Sequence, residues 1–568
     1  VKKTKRKKNR NRFRELATIL ATVFMRRLFI SLLLLASIAG LAVTWQLTRS
    51  NESGVSAVPA GDQEFAWIQA ATSISAWERF VAGVHRVSRD WTEFTVDDSR
   101  AFPEETTATP DLILSLKGIP GRIHIRWYKL SKGASATTWA ERLARRSPSP
   151  LAVIGGGSSD RALDLARAMA AQKKWVNEAP ALIFTTATAS AIAVPNEPVP
   201  LDLMQVYAGR SFRMCFTNEQ IATAVVNFVW SQSDLRPIGN PIPAIPVVGI
   251  DSPLEAMTIL ASYEEVFSPS VYALEWDDDP YSVDLSKQFH RALHESAPGR
   301  VLVRETTGIP FSVGGQYAPN HWEAEAAERL LSGLRDAPLE RQLLVLPTSA
   351  APARRVLRSV TGALPLVGRN LVAVTGDSIN LNNVYRDADI GWNIRALPVP
   401  LVFFSHQDPV DWDLPTADED HAWPPGRPRT PAQATTPPGP LLPDVLAPPT
   451  NTDDTLLNRD LIQILCRAAY GANALQATPA LIASADELQR RLHSLFPAVF
   501  DAAGNRLGGH GEYMLCLRPQ IAGPPTLSQV LSTATLEVWT REITESGPVW
   551  RPVKRLILDH GRANRPTL

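Results

Sequence analysis

The chain has only three cysteines in 568 residues. Cys215, Cys466 and Cys516 are too few to staple a disulfide scaffold, so a protein of this length must rest on an apolar core. They read as buried thiols, and Cys215 and Cys516 each sit in an apolar, strand-like run. The short motifs that announce common chemistries are also missing. No Gly-Lys-Ser/Thr follows the glycines near residue 155, which excludes a P-loop, and Asp160 stands where a dinucleotide fingerprint needs glycine. His321, Glu323 and Glu325 share a helix start, and His406 lies near Asp408 and Asp411. Neither group has the His-Glu-x-x-His geometry or a second histidine at ligand spacing. Trp276-Asp277-Asp278-Asp279 lacks the glycine and terminal glutamate of a calcium loop and reads as a solvated turn. Gly156-Gly157-Ser158-Ser159-Asp160 lacks the last glycine of a nucleophile elbow. His510, in Gly508-Gly509-His510-Gly511, reads as a tight turn. Nothing here argues for an enzyme, a metal or a cofactor.

Charge is nearly balanced over the whole chain, 58 basic against 57 acidic side chains, but it is unevenly placed. Residues 1–27 hold eleven Lys or Arg against the single acid Glu15. Without them, 47 basic face 56 acidic side chains, a mildly acidic remainder that argues against a nucleic-acid surface. Directly after the basic segment, residues 28–47 run for twenty positions without a charge. At about 1.5 Å per residue that run matches a bilayer's hydrocarbon core. The flanking basic excess places the N-terminus in the cytoplasm and everything after the span on the far side. The expectation is a retained single-pass anchor in the cytoplasmic membrane, with a periplasmic or extracellular main domain. A cleaved signal peptide is the alternative, but no small-residue cleavage site stands out.

Residues 48–63 are small and polar and read as a tether. Beyond them, short apolar runs alternate with helix-like stretches, the pattern of an α/β protein with parallel sheets. Strands are expected at 122–128, 151–155, 181–184, 247–250, 270–275, 301–304, 342–346, 371–374 and 401–404. Helices are expected at 138–146, 160–174, 218–232, 283–296, 321–334 and 351–360. The strands are continuous Val/Ile/Leu runs, as strands are when helices cover both faces. Between Trp423 and Pro449, ten of twenty-seven residues are proline, so 423–450 reads as an extended insertion or linker. The remainder, 451–568, opens with an amphipathic helix at 456–470, continues through a hairpin-like stretch and ends strand-rich; it is expected to complete the second lobe of the main domain.

The segments that carry chemistry lie at strand ends. In LAVIGGGSSDRALDLARAMA (151–170), a buried strand ends in three glycines and Ser158-Ser159-Asp160 opens a helix. Glycines allow close backbone approach, serines offer hydroxyls, and the first helical turn offers unpaired N–H groups at a positive dipole end. That assembly suits a carboxylate, although an ordinary turn with Ser or Asp as N-cap explains much of it. In ALIFTTATAS (181–190), a second strand ends in Thr185, Thr186 and Thr188. Ligands in open α/β sheets sit beyond the carboxyl ends of strands, so neighbouring ends rich in hydroxyls reinforce each other.

The order of these two segments, then SFRMCFTNEQIATAVVNFV (211–229), then VYALEWDDDPYSVDLSKQFHRAL (271–293), resembles the type I periplasmic binding proteins. The similarity is to the branched-chain amino-acid group that serves ABC transporters. The later stretch LVAVTGDSINL (371–381) and Gly314-Gly315-Gln316-Tyr317 look like that family's acidic turn and its aromatic loop. The resemblance spans roughly residues 110–405. It implies a two-lobed α/β domain over 64–422, crossing between lobes near 195–215. It also implies a site in which Ser158 or Ser159, Thr186 and Thr188 hold a ligand carboxylate while Asp377 pairs with its ammonium and Tyr281 packs alongside. Read from the residues alone, Asp377 is equally a turn acid and Tyr281 equally a core or hinge aromatic. The implied function is capture of a small polar solute, with an ABC permease or a signalling partner downstream. An exported enzyme in the same cleft, or a scaffold that has lost its ligand, stand as alternatives.

Overall fold

The computed structural model describes residues 37, 56–194, 197–239, 268–295, 301–313, 319–337, 339–362, 370–379, 399–406, 452–471, 480–499, 512–520, 533–544 and 547–559. The chain divides into two compact units, 1–57 and 58–568. Apart from Ser37, the expected membrane span at 28–47 lies outside the described residues. So do the proline-rich segment 423–450, the expected strand at 247–250, the loop at 314–317, Asp408, Asp411 and His510. Among the described residues, no helix is long and apolar enough to cross a membrane.

The first lobe runs β1 (Gln63–Ala70), α1 (Ile74–Asp90), β2 (Phe94–Arg100), β3 (Asp111–Leu116), β4 (Ile123–Leu130), α2 (Ala136–Ala144), β5 (Ala152–Gly155), α3 (Ser159–Ala171) and β6 (Ala181–Phe184). A small hairpin, β7 (Ala191–Ile192) with β8 (Leu201–Asp202), and one turn of helix, α4 (Leu203–Val206), lead to β9 (Ser211–Arg213). The sheet order is β2-β3-β4-β1-β5-β6-β9. The strands from β4 to β9 are parallel, whereas β2 and β3 join antiparallel. That edge departs from the expected parallel sheet because the links around β3 are too short for a crossover helix.

Alternation along these strands builds two different faces. Phe65, Trp67, Leu112, Leu114, Ile123, Ile125 and Trp127 face α1, where Trp77 and Phe80 meet them. The rings of Trp67, Trp77, Phe80 and Trp127 lie 5.1–5.8 Å apart, a spacing at which aromatic pairs attract beyond simple burial. The residues between them carry charge to the other face. There Arg146 pairs with Glu64 at 2.8 Å, and Tyr128 donates to the same carboxylate at 2.8 Å. The His124 ring lies between two carboxylates, Asp111 at 3.0 Å and Asp62 at 3.1 Å. Buried charges persist only where paired, and each of these is.

The second lobe holds α5 (Asn218–Ser231), β10 (Ser270–Trp276), α6 (Pro280–Glu295), β11 (Leu302–Ile309), α7 (His321–Asp336), β12 (Gln342–Leu346), α8 (Ala350–Gly362), β13 (Leu371–Thr375) and β14 (Leu401–Ser405). Its sheet order is β11-β10-β12-β13-β14-β15-β16-β17, parallel as far as β14. The last three strands, β15 (Tyr513–Gln520), β16 (Thr533–Thr544) and β17 (Gly547–Asp559), add antiparallel. Only two residues separate β16 from β17, so they must form a hairpin. The central strands are buried on both faces. Val271, Val345 and Val374 pack toward α5 and α6, and Leu274, Leu344 and Ala373 toward α7 and α8. Glu323 at the start of α7 accepts two bonds from Arg355 of α8, at 2.7 and 2.6 Å, and one from Trp276 of β10 at 3.2 Å.

Between β14 and β15 come α9 (Thr452–Tyr470) and α10 (Ala485–Val499), and they do not belong to the second lobe as expected of 451–568. Leu457, Leu461, Leu465 and Tyr470 of α9, with Leu488 and Leu492 of α10, lie in the aromatic core of the first lobe. An amphipathic stripe identifies a helix that must be covered, but not the core that covers it. Only the strands of 512–559 complete the second sheet. The three cysteines are buried and free.

Two outcomes follow from this packing. Leu465→Ala should destabilise the protein by about 2–5 kcal/mol in urea unfolding, as expected for emptying a filled core position. The second concerns acid. Burial alone would raise the Asp62 carboxyl, but hydrogen bonds from His124 and Arg122 outweigh it and hold the group below its ordinary 3.8. Its contribution is therefore complete above that value and lost as pH falls through the lower folded-state value. Asp62→Asn should flatten the acid limb of the stability–pH curve, measured by denaturant midpoints below pH 4.

Candidate functional site

In each lobe the parallel strands leave a crevice where successive helices turn to opposite faces of the sheet. In the first lobe it lies between β1, which leads to α1, and β5, which leads to α3. In the second it lies between β10, leading to α6, and β12, leading to α8. Ser158 and Ser159 follow β5 and Tyr281 follows β10, while Thr186 and Thr188 follow the neighbouring β6 and Asp377 follows β13.

At the end of β5 the backbone turns through Gly156, whose φ of +73° favours glycine. A Cβ there would also meet Ala162 at 2.9 Å and Phe184 at 3.0 Å. Ser158 then occupies the N-cap of α3 in extended backbone, yet its side chain makes no capping hydrogen bond. The hydroxyl is thus unspent on the helix, and the first-turn N–H groups retain the positive end of the helix dipole. The Gln69 amide, at the end of β1, lies 3.1 Å from where a Cβ on Gly157 would be.

The hydroxyl-rich end of β6 meets this turn. Thr186 Oγ1 donates to Gly157 O at 3.2 Å, which places it one residue from Ser158. Ser159 differs from expectation: it is 3% exposed, and its Oγ accepts the Ala189 N–H at 3.4 Å. It holds the β6 loop rather than standing open. Thr188 is buried as well, and its Oγ1 has no hydrogen-bond partner among the described residues. Its carbonyl accepts the Asn218 N–H at 2.9 Å, where α5 begins in the second lobe. Arg213 donates to Ala189 O at 2.7 Å.

In the second lobe Tyr281 and Asp377 are brought together. Tyr281 donates from its hydroxyl to Asp377 Oδ1 at 2.9 Å. Burial first and the Asp377 carboxylate second push that hydroxyl well above its ordinary value, which keeps it a donor. Asp377 Oδ2 lies 2.8 Å from His406 Nε2, while the Phe216 N–H donates to His406 Nδ1 at 3.4 Å. A ring that accepts at Nδ1 carries its proton on Nε2, so His406 donates to Asp377. Both oxygens that were expected to face a ligand ammonium are thus already bonded within the protein. Gly376 permits this, because a Cβ there would run into the Tyr281 hydroxyl.

The acidic turn at the end of β10 divides its work. Asp277 accepts from Gly308 N at 2.7 Å, and Asp278 from Ser312 Oγ at 2.7 Å and from Phe311 N, binding the β11–α7 loop. Asp279 is different: burial, then the negative charges of Asp160 and Asp278, push its carboxyl up to about 6. Asp160 stands in the first turn of α3, so the two crevices face each other closely enough for their acids to interact. Among the described residues, no group of three or more ligating side chains could hold a metal.

Sequence reasoning missed Gln69, Asn218 and Asp284, and weighed His406 only as a metal ligand. Gln69 has no motif around it, whereas Asn218 lies inside the quoted segment 211–229, at the start of a capped helix. Asp284 lies inside a quoted segment, and its role emerges only when α6 is placed against the first lobe.

Two α/β lobes with mixed, mainly parallel sheets are joined by a chain that crosses between them repeatedly, the two-lobed architecture that the sequence led us to expect. The first crossing, through Met214–Thr217, follows β9 at the end of the expected 195–215 window. The chain matches no family model and no curated protein in sequence. It is similar in structure to an ABC transporter substrate-binding protein from Desulfitobacterium hafniense, at 13% identity and a TM-score of 0.42, covering 86% of this chain and 99% of that one. A leucine-binding protein from Thermotoga maritima gives 13% and 0.43, with coverages of 88% and 99%. A solute-binding protein from R. palustris in complex with 4-hydroxybenzoate gives 10% and 0.44, with coverages of 89% and 100%.

The facing acids give a direct test. Between 3.8 and about 6 the folded protein keeps a proton on Asp279 that the unfolded chain has released, so this group costs stability as pH rises through that window. Asp160→Asn removes a like charge and should lower the Asp279 midpoint, followed by carboxyl NMR titration.

Proposed function

We propose that this chain is an extracytoplasmic binding protein for a small polar solute, an amino acid or similar carboxylate. In this reading residues 28–47 anchor it as a single span, with the N-terminus in the cytoplasm and the two-lobed domain outside. The observation that carries the reading is the unspent start of α3. Ser158 makes no capping hydrogen bond at a strand-end crevice, and Thr186, whose hydroxyl proton goes to Gly157 O, steadies the turn beside it. A carboxylate suits that arrangement, because several N–H and O–H donors converge on a positive dipole end. Thr188 Oγ1 offers a further buried hydroxyl, and Ser159 contributes by fixing the loop. In this reading Asp377 takes the cationic end of a zwitterion by sharing oxygens that Tyr281 and His406 already bond, and Tyr281 packs alongside. The protein would deliver its solute to an ABC permease or report it to a signalling partner, without chemistry of its own.

A second reading, an interaction or scaffold protein that binds no solute, is favoured by one observation. Ser159 and both oxygens of Asp377 already hold internal hydrogen bonds.

Thermal unfolding against a panel of amino acids and small carboxylates separates the two. A solute at 100 times its Kd should stabilise the folded state by about 2.7 kcal/mol, seen as a higher midpoint. Ser158→Ala and Thr186→Val should each weaken that shift while leaving the ligand-free midpoint nearly unchanged. A panel in which nothing stabilises the protein would decide for the scaffold.

A further inference from the structure

The segment Thr188–Ser190 of the first lobe is gripped at both ends by the second. Asn218, the first residue of α5, donates its N–H to Thr188 O at 2.9 Å. Two residues on, the Ser190 N–H donates to Asp284 Oδ2 of α6 at 3.2 Å. Asn218 Nδ2 donates to the same oxygen at 2.8 Å, and Gln288 Nε2 reaches the other carboxylate oxygen at 3.4 Å. Asn218 is fully buried and Asp284 is 3% exposed. The grip therefore lies in a dry interior, where a bond to a charged group counts for more than at a surface. Separating the lobes would break the Ser190 bond and leave a buried carboxylate short of a donor. The same helix carries Tyr281, three residues before Asp284, so whatever moves α6 against the first lobe also moves the Tyr281–Asp377 pair.

We propose that Asp284 is the bolt of a latch between the lobes, holding the cleft closed without solute, so that entry to the cleft requires its release. The contacts between the lobes do not depend on the solute-binding reading; entry of a solute does. Closure in such a device is the resting condition, and a bound molecule competes with the latch rather than creating the closed form.

Distance measurement between spin labels on the full chain in detergent tests this. Glu141→Cys on α2 and Arg329→Cys on α7 place labels at exposed positions of the two lobes, while the native thiols are buried. Without solute, the otherwise unaltered protein should give one short-distance population. Asp284→Ala should add a longer one, with the open fraction raised roughly tenfold, as loss of a hydrogen bond to a buried charged group implies. Asn218→Asp, which sets a second carboxylate against Asp284, should shift the distances the same way. Identical distributions in the folded variants overturn the latch. Should neither variant fold, amide exchange in the native protein decides. Ser190 protected as strongly as Asn218 upholds the latch, and Ser190 exchanging freely beside a protected Asn218 refutes it. If Asp284→Ala opens the lobes while no solute stabilises the protein, the latch stands and the solute reading falls.

Discussion

Buried backbone groups outside strands and helices must find partners, and that demand is concentrated in the three residues Thr188–Ser190. Their carbonyl and amide groups are taken up by Ser159 and Arg213 from the first lobe and by Asn218 and Asp284 from the second. The β6 end, the start of α3, the start of α5 and the first turns of α6 therefore have fixed mutual positions. Ser158, Ser159, Thr186, Thr188 and Tyr281 stand on those four elements, whereas Gln69, Asp377 and His406 follow β1, β13 and β14.

The second lobe shows the same economy with side chains. Asp377 gathers Tyr281 from α6 and His406 from the end of β14, and His406 in turn takes the N–H of Phe216, within the first crossing. Phe216 and Phe404 enclose the imidazole on two sides. The chain thus links its first crossing, the end of β14 and α6 through one carboxylate. A group that can serve a ligand here also serves the architecture, and the two roles compete for the same lone pairs.

Much of the fold was legible along the chain. The strands at 181–184 and 342–346 lie where their apolar runs are, and α5 and α7 begin at the residues where helix-like stretches were expected. Strand β1 escaped notice because Glu64 and Gln69 interrupt its apolar pattern; both are buried, Glu64 in an ion network and Gln69 beside Gly157. Strand β2, half exposed and bearing Asp97, Asp98 and Arg100, offers no apolar run at all. Of the site, the clustering of Ser158, Ser159, Thr186 and Thr188 was readable because strand ends in parallel sheets come together. The pairing of Tyr281 with Asp377 was not, since 96 residues separate them.

By itself, the sequence determined that few cysteines leave the fold to an apolar core, that two-faced strands need helices on both sides, and that glycines and hydroxyls gather at strand ends. These follow from local composition and periodicity, which act within a few residues of each other. Only the tertiary structure decided that α9 and α10 cross back to fill the first lobe, because apolar burial is strong but has no direction. Only it decided that Ser159 and Asp377 are spent inside the protein and that Asp284 reaches Ser190. Hydrogen bonds are directional and short, so which donor meets which acceptor is settled when distant segments are packed together.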